Sequence, residues 1–205
     1  MQVQSSQGYR WHKSGLGSHH SYLLPTVTSV IAREGARRVF DLGCGNGSTA
    51  AFLAASGLDV IGVDASAEGI AIAKDNHPGV HFELASAYDD LASRFGRFPV
   101  VVSLEVVEHV YAPRDYAKTV YSLLEPGGVA IISTPYHGYL KNLALSLAGK
   151  WDDHFTALWD HGHIKFWSRK TLRDLLEETG FRDIAFHRVG RIPAFAKSMI
   201  AVARK

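Results

Sequence analysis

Five short runs rich in β-branched residues punctuate the first two thirds of the chain: RRVFDL, LDVIGVD, VHFEL, FPVVVSL and VAIIST, each ending at a turn or a polar residue. Segments with helical spacing lie between them, near residues 48–56, 67–76, 86–94 and 113–124. Nearly continuous apolar strands alternating with helices predict βαβ units on a parallel sheet buried on both faces. Pro126, Gly127 and Gly128 separate the last of these helices from the fifth strand. Beyond Thr171, LRDLLEETG predicts a helix stopped by Gly180, and RDIAFHRV and KSMIAVARK predict two strands joined by a turn at Pro193. That link is shorter than the dozen or so residues a parallel crossover needs, so the final pair should be antiparallel.

Two stretches fall outside this rhythm and are candidate lid elements: residues 1–35, an N-terminal cap, and residues 135–167, rich in aromatic residues and histidine. In the second, Leu140, Leu143, Ala144 and Leu147 recur at helical spacing and predict a short amphipathic helix. The reading is one domain over 1–205: the cap, a core at 36–134, the insertion at 135–167, and a helix with a strand pair at 168–205. A length of 205 residues suits one sizeable core.

A composition of 46% hydrophobic and 20% charged residues is that of an ordinary globular protein, and a net charge of +2 gives no strongly basic nucleic-acid face. Cys44 is the one cysteine, so no intrachain disulfide forms and the cytoplasm is the expected compartment. The N-terminus lacks an apolar signal-peptide core, and no run reaches the roughly 18 apolar residues of a membrane span. Any membrane contact is expected to be peripheral, and the sequence leaves the oligomeric state open.

The first strand runs into Asp41-Leu42-Gly43-Cys44-Gly45-Asn46-Gly47-Ser48, where alternate glycines let the backbone turn tightly and approach a ligand. Ser48 or Asn46 can cap the next helix, whose first amides would face that ligand. The second strand ends in Asp64, a carboxylate able to accept hydrogen bonds from a ribose diol or to cap the segment beginning at Ala65. The spacing is not the G-x-G-x-x-G of pyrophosphate sites, which favours a phosphate-free nucleoside ligand.

VFDLGCGNG, VIGVD, VVVSLEVVEHV and LLEPGGVAIISTP, in that order, resemble the ordered motifs of class I S-adenosylmethionine-dependent methyltransferases, and most resemble the ubiquinone-biosynthesis O-methyltransferase group. The resemblance implies a doubly wound, Rossmann-like open α/β sheet of order 3-2-1-4-5-7-6, mostly parallel with strand 7 antiparallel. It also implies S-adenosyl-L-methionine as cofactor, with Asp41 on the methionine amino group and the Gly43–Gly47 backbone, Cys44 and Gly45 included, along the amino-acid end. Asp64 would hold the ribose, and Leu104 and Ala65 would flank the adenine. Ser86 stands where the family often has an aspartate facing the adenine, with Ala87 or Asp89 as substitutes, and Tyr22 stands where relatives carry a cofactor-contacting arginine.

Methyl transfer mainly requires that a nucleophile be aligned with the donor and lose a proton, so a general base helps without being obligatory. Glu105-Val106-Val107-Glu108-His109 follows the fourth strand. If it opens a helix, Glu105, Glu108 and His109 share one face, either as an acidic helix start over a core histidine or as a site. With His163, or His161 in its place, they form an oxygen and nitrogen set able to hold a divalent metal, similar to the site of small-RNA 2′-O-methyltransferases. The metal-free form is preferred: His109 or His163 is then the base, Glu105 a further catalytic candidate, and His137, His154 and His161 lesser ones. Tyr136, Tyr139, Trp151, Phe155 and Trp159 are candidates for the wall around an aromatic or lipid-like acceptor. The leading reading is methyl transfer to oxygen, or nitrogen, of a small molecule. Its competitors are a metal-assisted RNA 2′-O-methyltransferase, a nicotinamide-dependent oxidoreductase, against which the glycine spacing argues, and a noncatalytic cofactor-binding partner protein.

Overall fold

A computed structural model of the protein describes residues 17–155, 157–159 and 162–205. In chain order the elements are α1 (His20–Arg33), β1 (Arg38–Leu42), α2 (Ser48–Ala55), β2 (Asp59–Asp64), α3 (Ala67–Asn76), β3 (His81–Leu84), α4 (Leu91–Phe95) and β4 (Phe98–Leu104). They continue with α5 (Pro113–Leu123), β5 (Leu124–Pro135), α6 (Tyr139–Leu147), α7 (Trp151–Phe155), α8 (Arg169–Thr179), β6 (Arg182–Val189), a single 3₁₀ turn (Pro193–Phe195) and β7 (Ser198–Arg204).

The strands form one seven-stranded sheet of order β3-β2-β1-β4-β5-β7-β6. The pairs from β3 across to β5 are parallel, and β7 runs antiparallel to both β5 and β6. The order predicted by the family resemblance is therefore the order found. Apolar side chains on both faces explain why these sequences make buried strands. Along β4, Val101 joins one core with Phe40, Tyr116 and Leu172, while Val100 and Val102 join the opposite core with Leu23, Leu53 and Phe82. Chain order reverses beside β1, whose neighbours are β2 and β4, so a crevice opens above the carboxyl ends of β1 and β4.

Three local expectations change. The helix expected over 86–94 is only Leu91–Phe95. Ahead of it the Ser86 amide donates to Asp89 Oδ2 at 2.8 Å and the Tyr88 amide to Ser86 Oγ at 3.2 Å, while Asp90 caps the short helix. Short polar side chains thus capture the backbone amides that a helix would have used. The fifth strand starts at Leu124, with the Pro-Gly-Gly segment absorbed as a register shift between Phe98 and Val100 of the neighbouring strand. The stretch Val106–His109 is a turn rather than a helix start, entered through Glu105 at φ 55°.

The amphipathic helix expected in the insertion is present as α6, but none of its residues is buried: Leu140 is 52% and Leu147 82% exposed. The apolar stripe of α8 is packed instead, through Leu172, Leu175 and Leu176, after a Ser168–Thr171 capping box and before Gly180 in the left-handed conformation. Leu172→Ala should therefore lower stability by about 2.5–5 kcal/mol through the cavity it leaves. Leu140→Ala should change it by less than about 0.5 kcal/mol. Urea unfolding of the two variants checks the contrast, and equal losses would mean that α6 is packed.

Candidate functional site

The crevice is a cleft of about 1170 Å³ whose wall is built largely by the turns that follow β1, β2, β3 and β4. The glycine turn is anchored from below. The Gly43 and Cys44 amides both donate to the Val63 carbonyl, at 2.8 and 2.9 Å, which ties the end of β1 to the end of β2. Gly43 has φ 84°, and a Cβ there would collide with Val106 from the turn after β4. Gly43 therefore lets the acidic turn pack onto the cofactor-type loop.

Asp64 spans the crevice at the end of β2. Its Oδ2 accepts from the Gly45 amide at 2.9 Å and its Oδ1 from the Ser66 amide at 2.7 Å. The α3 cap is Ser66, not Asp64, so the carboxylate holds the loop in place while remaining on the cleft wall. Asp41 lies beneath, 2% exposed, with Oδ2 in no hydrogen bond among the described residues. Burial, reinforced by Asp64, pushes its carboxyl up to about 7.

Gly43, Cys44, Gly45, Asp64, Ala65, Ser86, Ala87 and Leu104 line the cleft as the sequence led us to expect. Gly47 does not: at φ 79° it turns toward Phe82 and Ala73, which a Cβ would approach to 2.6 and 2.8 Å, so it is required by packing. Gly47 also takes the N-cap position of α2 expected for Ser48 or Asn46, though Asn46 Oδ1 still accepts from the Ser48 amide at 3.2 Å. Tyr22 is likewise off the cleft. Burial pushes its phenol up, and Lys197 Nζ lies 5.4 Å from its ring centre. The start of α1 presents His19 and His20 instead, which the sequence reading passed over inside the cap; the paired histidines just ahead of a helix were the available signal.

The acidic turn divides its residues. Glu105 stays on the wall, but its carboxylate accepts from Ser133 Oγ at 2.7 Å and Ser198 Oγ at 3.3 Å, and burial lifts it to about 7. Glu108 is fully buried, and among the described residues neither carboxylate oxygen has a hydrogen-bond partner. Burial, with Glu105 adding repulsion, raises its pKa well above the ordinary carboxylate range. Ligand atoms of Glu108, His109 and His163 lie within 4.8 Å of one another, so three of the four metal candidates converge and Glu105 stands apart.

His109 Nδ1 is 3.1 Å from the Gly162 carbonyl, which can only accept, so Nδ1 carries the proton and Nε2 is the basic nitrogen of the neutral ring. His163 is held low, at about 4, by burial and by His109 and His154, so it is neutral near pH 7. The segment bearing it is pinned to the turn: the Ile164 and Lys165 amides both donate to the Glu108 carbonyl at 2.9 Å, and Trp167 Nε1 donates to the Val107 carbonyl at 3.0 Å.

Of the aromatic acceptor-wall candidates only Trp159 lines the cleft, 6.0 Å from the His109 ring and 5.5 Å from that of His163. Trp151 and Phe155 stack at 4.6 Å and line a separate recess with His137 and Phe166. Tyr136 is buried and Tyr139 is 79% exposed. His137 and His154 pair at 5.3 Å away from the cleft wall, and His161 lies outside the described residues.

A family model described as a methyltransferase domain matches residues 17–185. The ubiquinone biosynthesis O-methyltransferase of Cereibacter sphaeroides is 33% identical over 147 residues, covering 70% of this chain and 59% of the relative. The chain thus spans about 59% of the length of such curated relatives. The magnesium protoporphyrin IX methyltransferase of Synechocystis, solved with bound SAH, superposes with a TM-score of 0.71 at 19% identity, covering 95% of this chain and 90% of that one. A SAM-dependent methyltransferase from Archaeoglobus fulgidus gives 0.67 at 21% identity, with 88% and 94% covered. At these identities the two structures establish the likeness of fold.

Asp41 gives a pH signature. A carboxyl raised to about 7 stabilises the fold fully below its ordinary value near 3.8, and that contribution is lost as pH rises through about 7. Asp41→Asn removes the titration. Between pH 5 and 8.5 the variant should gain about 2–3 kcal/mol on the parent in denaturant unfolding. A difference independent of pH would show that Asp41 is ionised throughout.

Proposed function

The chain belongs to the methyltransferase-domain family, and on that premise we propose that it moves a methyl group from S-adenosyl-L-methionine to an oxygen of a small, apolar or aromatic acceptor. The observation that carries the donor assignment is the pair of carboxylates at the strand ends. Asp41 is a buried acid with an unpartnered oxygen under the glycine turn, which suits an ammonium. Asp64 is fixed by two amides at the cleft wall, where its remaining lone pairs suit a ribose diol. Ser86, Ala87, Leu104 and Ala65 supply the flat flanks suited to adenine. A cleft of about 1170 Å³ exceeds the upper range of about 1,000 Å³ for one ligand and leaves room for a second.

Bound S-adenosylmethionine would supply a methyl group made electrophilic by its sulfonium. The chain's part is to orient the acceptor and take its proton. His109, steered by the Gly162 carbonyl, is the base we assign, and the neutral His163 beside it orients the acceptor hydroxyl. A proton gained by His109 would favour ionisation of Glu108, whose carboxyl burial otherwise keeps protonated and whose ligand atoms lie within 4.8 Å of those of His109. Trp159, Val106, Val110 and Ile164 make the surrounding wall apolar. Among the described lining residues there is no lysine or arginine, which leaves an RNA acceptor without a phosphate partner. The cytoplasm is the compartment a single buried cysteine supports; no helix among the described residues is long and apolar enough to cross a membrane.

A second reading rests on the unpartnered Glu108 oxygens beside His109 and His163. One carboxylate and two imidazoles suit a divalent transition metal with open positions, and such an ion would supply Lewis-acid polarisation. The histidine reading is preferred, because Glu105 is engaged by serines and does not complete the set.

Asp64→Ala should weaken calorimetric binding of S-adenosylhomocysteine by about ten- to a hundredfold. Preferential binding of NAD would overturn the donor assignment. With a catechol as acceptor, His109→Ala should lower kcat by about 10²–10⁴ while donor affinity stays within a fewfold of the parent. Full turnover after exhaustive chelation supports the histidine base; loss restored by magnesium, manganese, cobalt or zinc replaces it with the metal reading.

A further inference from the structure

S-adenosylmethionine is an amino acid at one end, so a cleft that receives it must answer a carboxylate as well as an ammonium. This end of the cleft is already acidic, with Asp41 below and Asp64 across. A third carboxylate there needs a donor able to become positive. Among the described lining residues the only groups able to do so are His19, His20, His109 and His163.

Three of the four are committed elsewhere. His109 and His163 face each other at 4.9 Å beside Glu108, on the acceptor side. His20 is buried and uses both ring nitrogens: Nδ1 donates to the Gly17 carbonyl at 3.2 Å, which leaves Nε2 to accept from Thr49 Oγ1 at 3.1 Å. Thr49 has then spent its only proton on His20 and cannot donate to a ligand.

His19 is the remaining group. Its ring packs against that of His20, with centroids 4.0 Å apart and the planes tilted by 36°, and lies over Gly17, where a Cβ would come within 2.8 Å of His19 Cε1. It stays exposed on the wall shared with Cys44, Asn46 and Thr49, and makes no side-chain hydrogen bond among the described residues. His20 thus acts as a bracket joining α1 to the start of α2, and it holds His19 on the cleft wall beside the residues after β1.

We propose that His19 receives the α-carboxylate of the methyl donor and becomes protonated as it does so, making it a determinant of donor binding on the N-terminal helix. This rests on the donor assignment above. Partial burial lowers the pKa of the His19 ring, so the ring enters neutral and an arriving carboxylate draws a proton onto it.

The test is calorimetry of the full chain with two ligands: S-adenosylhomocysteine, and 5′-methylthioadenosine, which shares the nucleoside but lacks the amino acid. His19→Ala should weaken the first by about ten- to a hundredfold and leave the second within about twofold. Proton uptake, read from the change in binding enthalpy between phosphate and Tris buffers at pH 7.5, should accompany the first ligand in the parent and disappear in both His19→Ala and His19→Arg, with His19→Arg restoring affinity. Equal losses for both ligands would reduce the ring to a wall element and overturn the inference, as would no loss for either. If the parent binds neither ligand, the donor assignment itself falls and this inference with it. If the parent binds both and only the discrimination is missing, the donor assignment stands alone.

Discussion

Everything at the cleft depends on how the ends of β1 and β2 are tied together. The Val63 carbonyl accepts two amides from the glycine turn, and the Asp64 carboxylate accepts a third from Gly45 while holding Ser66 with its other oxygen. A loop of small residues would otherwise sample many conformations, at a backbone cost of about 1–2 kcal/mol for each residue ordered. The tie offsets that cost before any ligand arrives. It also aligns the first turns of α2 and α3 toward one crevice, where the sheet order reverses.

The polar groups placed around that crevice are expensive for the fold. Asp41 and Glu108 are both buried with oxygens that no other group satisfies, and leaving such a group unpaired costs about 1–3 kcal/mol, more when it is charged. Their raised pKa values are the same fact seen from the proton's side: the interior disfavours the ionised form until a cation or a hydrogen-bond donor appears. The two acids lie apart, one at the end of β1 before the glycine turn and one beside His109 and His163. A site with two separated demands for a partner fits a two-substrate reaction better than it fits a storage or scaffold role.

The alternation of strands and helices and the reversed last strand were legible in the sequence because each follows from local patterns: apolar runs, and a crossover too short to be parallel; the strand order itself came from the family resemblance. The failures came where backbone conformation is decided by contacts distant in sequence. Gly43 and Gly47 look alike in the chain, yet one faces Val106 and the cleft while the other is buried against Phe82 and Ala73. The expected helix at 86–94 shortened because Ser86, Asp89 and Asp90 satisfied amides locally. His19 and His20 were invisible as site residues because only the packing of α1 against the start of α2 brings them to the cleft. The aromatic residues of the insertion could be counted but not placed, and only Trp159 reaches the main cleft.

Glu105 shows most clearly how one backbone angle redistributes chemistry. Read as the start of a helix, the spacing of Glu105, Glu108 and His109 puts all three on one face. At φ 55° Glu105 instead turns out of that register, and its amide and carboxylate both reach Ser133 on β5. Ser198, at the start of β7, donates to the other oxygen. The residue that the linear pattern would make a ligand or a catalyst is a joint between β4, β5 and β7. A left-handed conformation in a residue with a side chain costs on the order of 1–2 kcal/mol. Here it frees Val106 to seal the glycine turn and leaves Glu108 and His109 to face His163 alone. Three ligand groups rather than four therefore converge there, which favours a proton taken by histidine over an ion held by four ligands.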